Sequence, residues 1–183
     1  MKYIIALTSL ILAIPVHASV DRCSGRVPQE LARVLVQRNI GCRLPRESDN
    51  LEEDVAYNIS QKGTGCLAIA TADFDGNGHT DYLIALPATN SKATLITVAL
   101  RRGRFWRLDP LITWPDSQGR VFVEAQHAGR LERTEALEGP ISEPGEVLSM
   151  RCHNHVAVFG FTESSAVAYC WQKAAWHYVW ISD

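Results

Sequence analysis

The sequence predicts an α+β domain, with two N-terminal helices packed on an antiparallel β-sheet meander of roughly six to eight strands. Three observations carry that expectation. Apolar residues recur at helical spacing only between residues 28 and 60. After Cys66 the chain becomes a series of short apolar runs rich in β-branched and aromatic residues, separated by turn-forming residues. No low-complexity tract or second composition class interrupts residues 19–183, so these read as one domain.

Pro28 to Asn39 forms the first expected helix. Leu31, Val34 and Leu35 fall on one face, Pro28 suits the first turn, and Gly41 suits the end. Ser48 to Ser60 is the second: Ser48 or Asp49 caps it, Glu52 and Glu53 favour its first turn, and Leu51, Val55 and Ile59 share a face. Cys66 to Ala72 and Tyr82 to Leu86 are the first two strands, bounded by Gly65 and Pro87. Ala93 to Leu100 and Phe105 to Leu108 make a hairpin around the basic turn Arg101-Arg-Gly-Arg104. Arg120 to Val123 is a further strand, and Glu124 to Pro144 is a long irregular connection rich in glycine, proline and charge. Val147 to Cys152, Val156 to Phe161, Ser165 to Trp171 and Trp176 to Ile181 close the meander.

Residues 1–18 have the form of a secretory signal peptide. Lys2 supplies the positive end, Tyr3 to Pro15 the apolar stretch, and Val16-His-Ala18 the small-residue cleavage pattern. The apolar run is too short to span a bilayer, and Cys23 lies too far beyond Ala18 to carry a lipid anchor. The mature protein is expected to be periplasmic or secreted, without a membrane span, and monomeric. The formal charge of −2 becomes one unit more negative once Lys2 is removed. Near neutrality gives no electrostatic case for nucleic acid or anionic lipid.

An oxidising destination gives the five cysteines a structural meaning. Cys23 with Cys42 would bracket the first helix, and Cys152 with Cys170 would tie two C-terminal strands. Cys66 would then be left over; Cys42 with Cys66 is the competing pair, and spacing does not choose between them.

Between the first two strands stands Asp73-Phe-Asp-Gly-Asn-Gly-His-Thr-Asp81. Oxygen-bearing side chains at positions 1, 3, 5 and 9 suit a hard cation that takes six to eight oxygens. Asp73, Asp75, Asn77 and Asp81 are the expected side-chain ligands of Ca²⁺, with the backbone carbonyl of His79 as a fifth. The bidentate Glu that closes an EF-hand loop is missing, because position 12 is Ile84. Three carboxylates in nine residues also repel one another unless a cation neutralises them.

An acidic loop inside a β-hairpin, followed by Asp81-Tyr-Leu-Ile-Ala-Leu-Pro87, resembles the FG-GAP repeat (integrin-α-like, VCBS-type). The resemblance covers about twenty residues, roughly Ala68 to Pro87, with Asn77 where that family usually has Asp. It implies a calcium-loop hairpin. One copy of the motif does not imply the many-bladed propeller that such repeats build.

Candidate chemistry elsewhere is sparse. His153 and His155 put two imidazoles two residues apart, without HExxH or an evident third zinc ligand. Gly-x-Ser-x-Gly is absent. Glu124, Glu132, Glu135 and Glu163 offer carboxylates for glycoside cleavage, but sequence spacing does not define their separation. Trp106, Trp114, Trp171, Trp176 and Trp180 read as core residues or as a sugar-stacking or protein-binding face. The expectation is therefore a non-catalytic, exported calcium-binding module that engages a protein partner in the envelope or outside the cell. The alternatives are a small exported hydrolase of cell-wall or polysaccharide substrates, and a carbohydrate-binding module.

Overall fold

The computed structural model describes residues 20–135, 137, 141 and 143–182. The signal peptide expected at residues 1–18 lies outside the described residues. Among those described, the order is α1 (Gln29–Arg38), a 3₁₀ turn (Glu47–Asp49), α2 (Glu52–Ser60), and then ten strands. These are β1 (Ile69–Ala72), β2 (Asp81–Pro87), β3 (Thr94–Arg102), β4 (Phe105–Trp114), β5 (Val121–Gln126), β6 (Arg130–Glu132), β7 (Ser149–Arg151), β8 (Val156–Phe161), β9 (Ala166–Gln172) and β10 (Ala175–Ser182).

The expected α+β architecture, two helices on one sheet, is not what forms: the fold is mostly β. The strands build two four-stranded antiparallel sheets, β1-β2-β3-β4 and β10-β9-β8-β5, and a separate β6-β7 ribbon. The reason is visible in the alternation along the C-terminal strands. Val121, Val123, Ala157, Phe159, Val167, Tyr169 and Tyr178 face a core shared with the first sheet. Val156, Val158, Ala166, Ala168, Cys170 and Val179 face a second core, closed by Met150 of β7 and Leu131 of β6. Successive residues point to opposite faces, so a sheet apolar on both faces needs cover on both sides. The first sheet covers one and the ribbon the other.

The helices are adjuncts to this core. Leu31 and Leu35 bury one face of α1 against the first sheet's core. α2 buries only Val55 and leaves Tyr57 and Ile59 exposed, so it is no layer of the fold. Nor does a single helix run from Ser48 to Ser60. Asn50 is extended, bridges Gly119 in parallel and donates from Nδ2 to the Val121 carbonyl at 2.8 Å, which splits the segment.

The strand after the basic turn continues past Leu108 to Trp114. Pro110 is tolerated because β4 is a sheet edge and a register shift lies opposite it, between Ile96 and Thr97. Within the expected irregular stretch 124–145, β5 continues to Gln126, and Arg130–Glu132 pairs with β7.

Cys152 and Cys170 form the expected disulfide. The Cys23–Cys42 pairing does not form: Cys23 bonds Cys66, with Cα atoms 5.0 Å apart, and Cys42 is the free thiol. Backbone pairing explains the exchange. Cys42 bridges Ala88, and Arg43 N donates to the Pro87 carbonyl at 3.0 Å, holding Cys42 beside the end of β2. Cys66, just ahead of β1, instead meets the N-terminal turn. Two disulfides accord with folding in an oxidising compartment. Among the described residues, no helix is long and apolar enough to cross a membrane.

Candidate metal centre

The nine-residue acidic segment is the turn of the β1–β2 hairpin, whose register runs from Ile69–Ile84 to Ala72–Asp81. Local chemistry shapes it. Asp73 Oδ1 accepts the N–H groups of Gly76 and Asn77 at 2.8 and 3.0 Å, and Oδ2 accepts that of Gly78 at 2.8 Å. An aspartate that caps its own downstream amides curls the chain around its carboxylate. Gly76 and Gly78 have φ of +75° and +81°, the left-handed region that glycine enters without a Cβ penalty. Phe74, fully buried, anchors the polar loop to the core.

The fold brings three of the predicted ligands together. One carboxylate oxygen from each of Asp73, Asp75 and Asp81 lies within 4.8 Å of the others. Two oxygens bound to one Ca²⁺ at about 2.4 Å can be at most about 4.8 Å apart, so the group fits one coordination shell. Asp81, fully buried, accepts the N–H of Phe74 at 3.0 Å on Oδ2 and that of Arg101 at 2.7 Å on Oδ1. Burial pushes its carboxyl up to about 6, and the charges of Asp75 and Asp73 push the same way against those two N–H groups.

Each ionised carboxylate offers about four lone-pair directions. The hydrogen bonds to Asp73 leave it one, while Asp81 keeps two. Asp75 is the most telling. Its side chain is 1% exposed, and Oδ2 is buried with no hydrogen-bond donor. The Nη1 of Arg102 stands 2.6 Å away as an ion pair outside hydrogen-bond alignment.

The remaining two predicted ligands, Asn77 and the His79 carbonyl, lie on the same turn. Asn77 spends Oδ1 on the His79 N–H at 2.8 Å and Nδ2 on the Arg101 carbonyl at 2.9 Å, so its amide staples the loop to the β3–β4 turn. His79 is exposed.

Sequence spacing missed the residues from distant strands. Arg101 and Arg102 close one side of the loop. Asn154 closes another: a Cβ on Gly76 would lie 2.6 Å from its Oδ1. Three arginines in four residues were the available signal for the first side, although nothing in the chain pairs them with this loop.

The histidines and Glu163 do not converge. His155 precedes β8 while Glu163 follows its far end, so the two stand on the order of 20 Å apart along the strand. His155 instead meets His127. Two of the four candidate carboxylates do meet: Glu124 and Glu163 share a cleft of about 730 Å³ with Glu53, Asp54, Tyr57 and Phe122, and the sequence did not suggest the part played by α2.

All five tryptophans are half-buried and packed on the core. Trp171 meets Trp176, and Trp114 meets Trp180, edge to face rather than coplanar. Trp176 Nε1 donates to Asp109 Oδ2 at 3.0 Å, tying β10 to β4. They form no flat sugar-stacking row.

Comparison of the chain with protein-family models, curated proteins and solved structures returns no match, so the likeness to an FG-GAP hairpin rests on the loop residues themselves.

Proposed function

We propose that this chain is an exported, non-catalytic calcium-binding module that engages a protein partner. The observation that carries it is the convergence of Asp73, Asp75 and Asp81 within 4.8 Å on a hairpin turn whose glycines permit the curl. The FG-GAP resemblance supports Ca²⁺ as the ion, and the disulfides support a compartment where calcium is plentiful enough to fill a weak site.

The ion's role would be to order a surface. Asp75 forms an ion pair with Arg102, and Asn77 and Asp81 hydrogen-bond to Arg101, so the acidic loop and the basic turn are one unit. That turn presents Arg104 and Phe105, the latter 77% exposed. An exposed aromatic beside a cation suits a protein surface with an apolar pocket and an acidic rim.

Calorimetric titration of the chelator-stripped mature protein with Ca²⁺ tests the metal. One ion per chain is expected, with a rise in melting temperature that Asp73→Ala and Asp81→Ala abolish; equal heats from all three proteins would sink the assignment. Capture of a partner by wild type in calcium, lost in chelator and on Phe105→Ala, tests the surface.

A second reading, a small polysaccharide hydrolase, is favoured by the cleft that gathers Glu53, Asp54, Glu124 and Glu163 beside Tyr57. Paired carboxylates are what glycoside cleavage uses. Release of sugar from cell-wall polysaccharide by wild type, and none by Glu124→Gln or Glu163→Gln, would establish it over the first.

A further inference from the structure

The His127–His155 pair lies outside the acidic loop and has no role in the function proposed above. Gln126 and Val156 are the last paired residues of β5 and β8, so His127 and His155 occupy the next opposing positions. Opposed residues of antiparallel strands carry their Cβ atoms roughly 5 Å apart on the same face. Their imidazole centres are 5.6 Å apart, with the ring planes tilted by 43°. Two imidazoles bound to one metal at about 2.0–2.1 Å, at a tetrahedral angle, put their ring centres about 5 Å apart. The pair is therefore a small side-chain adjustment from chelating geometry.

The backbone around the pair is held on both sides. Beyond it, Cys152 N donates to the Gly129 carbonyl at 2.7 Å and Gly129 N donates to that of Cys152 at 3.2 Å. The Cys152–Cys170 disulfide then fastens this end of the ribbon to β9. Among the described residues, neither imidazole is committed to a hydrogen bond or an ion pair, so a metal would displace no protein partner. His127 is exposed and His155 half-buried, leaving the pair open to an ion from solvent. His153, the partner that sequence spacing suggested for His155, sits in the exposed bend beside it.

We propose that His127 and His155 form a two-imidazole site for a borderline divalent transition metal, with its remaining coordination positions open to water or to a donor from another molecule. Imidazole nitrogen suits Cu²⁺, Ni²⁺ and Zn²⁺, whereas carboxylate oxygen suits Ca²⁺, so the two sites select different ions by ligand chemistry. Affinity should follow Cu²⁺ > Ni²⁺ and Cu²⁺ > Zn²⁺.

The test is titration of the mature protein with CuCl₂, NiCl₂ and ZnCl₂ in excess calcium, which keeps the acidic loop occupied. Calorimetry should give one ion per chain, weakened by about tenfold or more in His127→Ala and in His155→Ala, since each removes one of two protein ligands. His153→Ala should bind as wild type. Substoichiometric Cu²⁺ should broaden the NMR signals of His127 and His155 before those of any other histidine. Melting curves of the metal-free variants establish that each is folded. Wild-type isotherms from His127→Ala and His155→Ala, broadening centred on His153 or the acidic loop, or no saturable binding by wild type would each overturn the site.

Discussion

Arg102 places Nη1 2.6 Å from Asp75 Oδ2, so the acidic loop holds one positive charge of its own. That guanidinium is 40% exposed, whereas the carboxylate it meets is almost wholly buried. An exposed cation on a long side chain can move aside into solvent, but the buried carboxylate that it leaves then needs another cation. Arg102 is in this sense a removable counter-ion. It relieves repulsion among three carboxylates and competes with any cation that enters.

Removing that competitor should strengthen calcium binding. Arg102→Gln is expected to raise Ca²⁺ affinity by about twofold to fivefold, while lowering metal-free stability by more than the ~1 kcal/mol of a surface pair, because the buried Asp75 carboxylate loses its counter-ion. Calorimetry at two salt concentrations checks it. Weaker binding by the variant would show that Arg102 orients Asp75 rather than competing for it.

Asp81 predicts a pH dependence. Without metal its folded carboxyl titrates at about 6, above the unfolded value of about 3.9. A raised folded value means that the group's contribution to stability is complete below pH about 4 and is lost as pH rises through about 6. The loss is on the order of 3 kcal/mol at neutral pH. Urea midpoints in chelator should therefore fall across that window less in Asp81→Asn than in wild type, and saturating calcium should shrink the wild-type fall. An unchanged slope in Asp81→Asn would contradict this account of the buried carboxylate.

Gly76 should resist replacement for two separable reasons. Its φ of +75° strains any L-residue, and a Cβ would approach Asn154 Oδ1 to 2.6 Å. Gly76→Ala should cost on the order of 1–2 kcal/mol from backbone conformation and weaken calcium binding. Asn154→Ala in the same chain should return only the part due to crowding. Full recovery by the double variant would show that the left-handed conformation costs nothing here.

The disulfides predict an asymmetry among the cysteines. Loss of Cys23–Cys66 opens a loop spanning 43 positions, worth about 4 kcal/mol in the chain-entropy model. Cys66→Ser should therefore lower the melting temperature strongly, whereas Cys42→Ser removes no crosslink and should change it little. Peptide mapping of the oxidised protein should recover Cys23 with Cys66 and Cys152 with Cys170. A Cys23–Cys42 peptide would overturn this connectivity.

Local features were legible before any coordinates. α1 begins one residue after Pro28, as its N-terminal proline and apolar spacing imply, and β8 occupies Val156–Phe161 as its apolar run implies. The curl of the acidic loop was also legible, because Asp73 and two glycines make it within nine residues. What failed depends on partners far along the chain. The helix from Ser48 breaks because Asn50 is drawn to Gly119 and Val121, about seventy residues away. The strand expected over Phe105 to Leu108 continues to Trp114 because an edge position and a bulge absorb Pro110.

By itself the sequence determined what short-range chemistry can determine: strand periodicity, the turn residues, and an acidic hairpin whose own amides wrap Asp73. Tertiary structure alone decided which surfaces meet. It divided the strands between two sheets, joined Cys23 to Cys66, set Arg102 on Asp75 and brought His127 opposite His155. The physical reason is that hydrogen bonds and dihedral preferences act between near neighbours. Burying both faces of a β-sheet is a condition on the whole chain, met only when residues remote in sequence cover them.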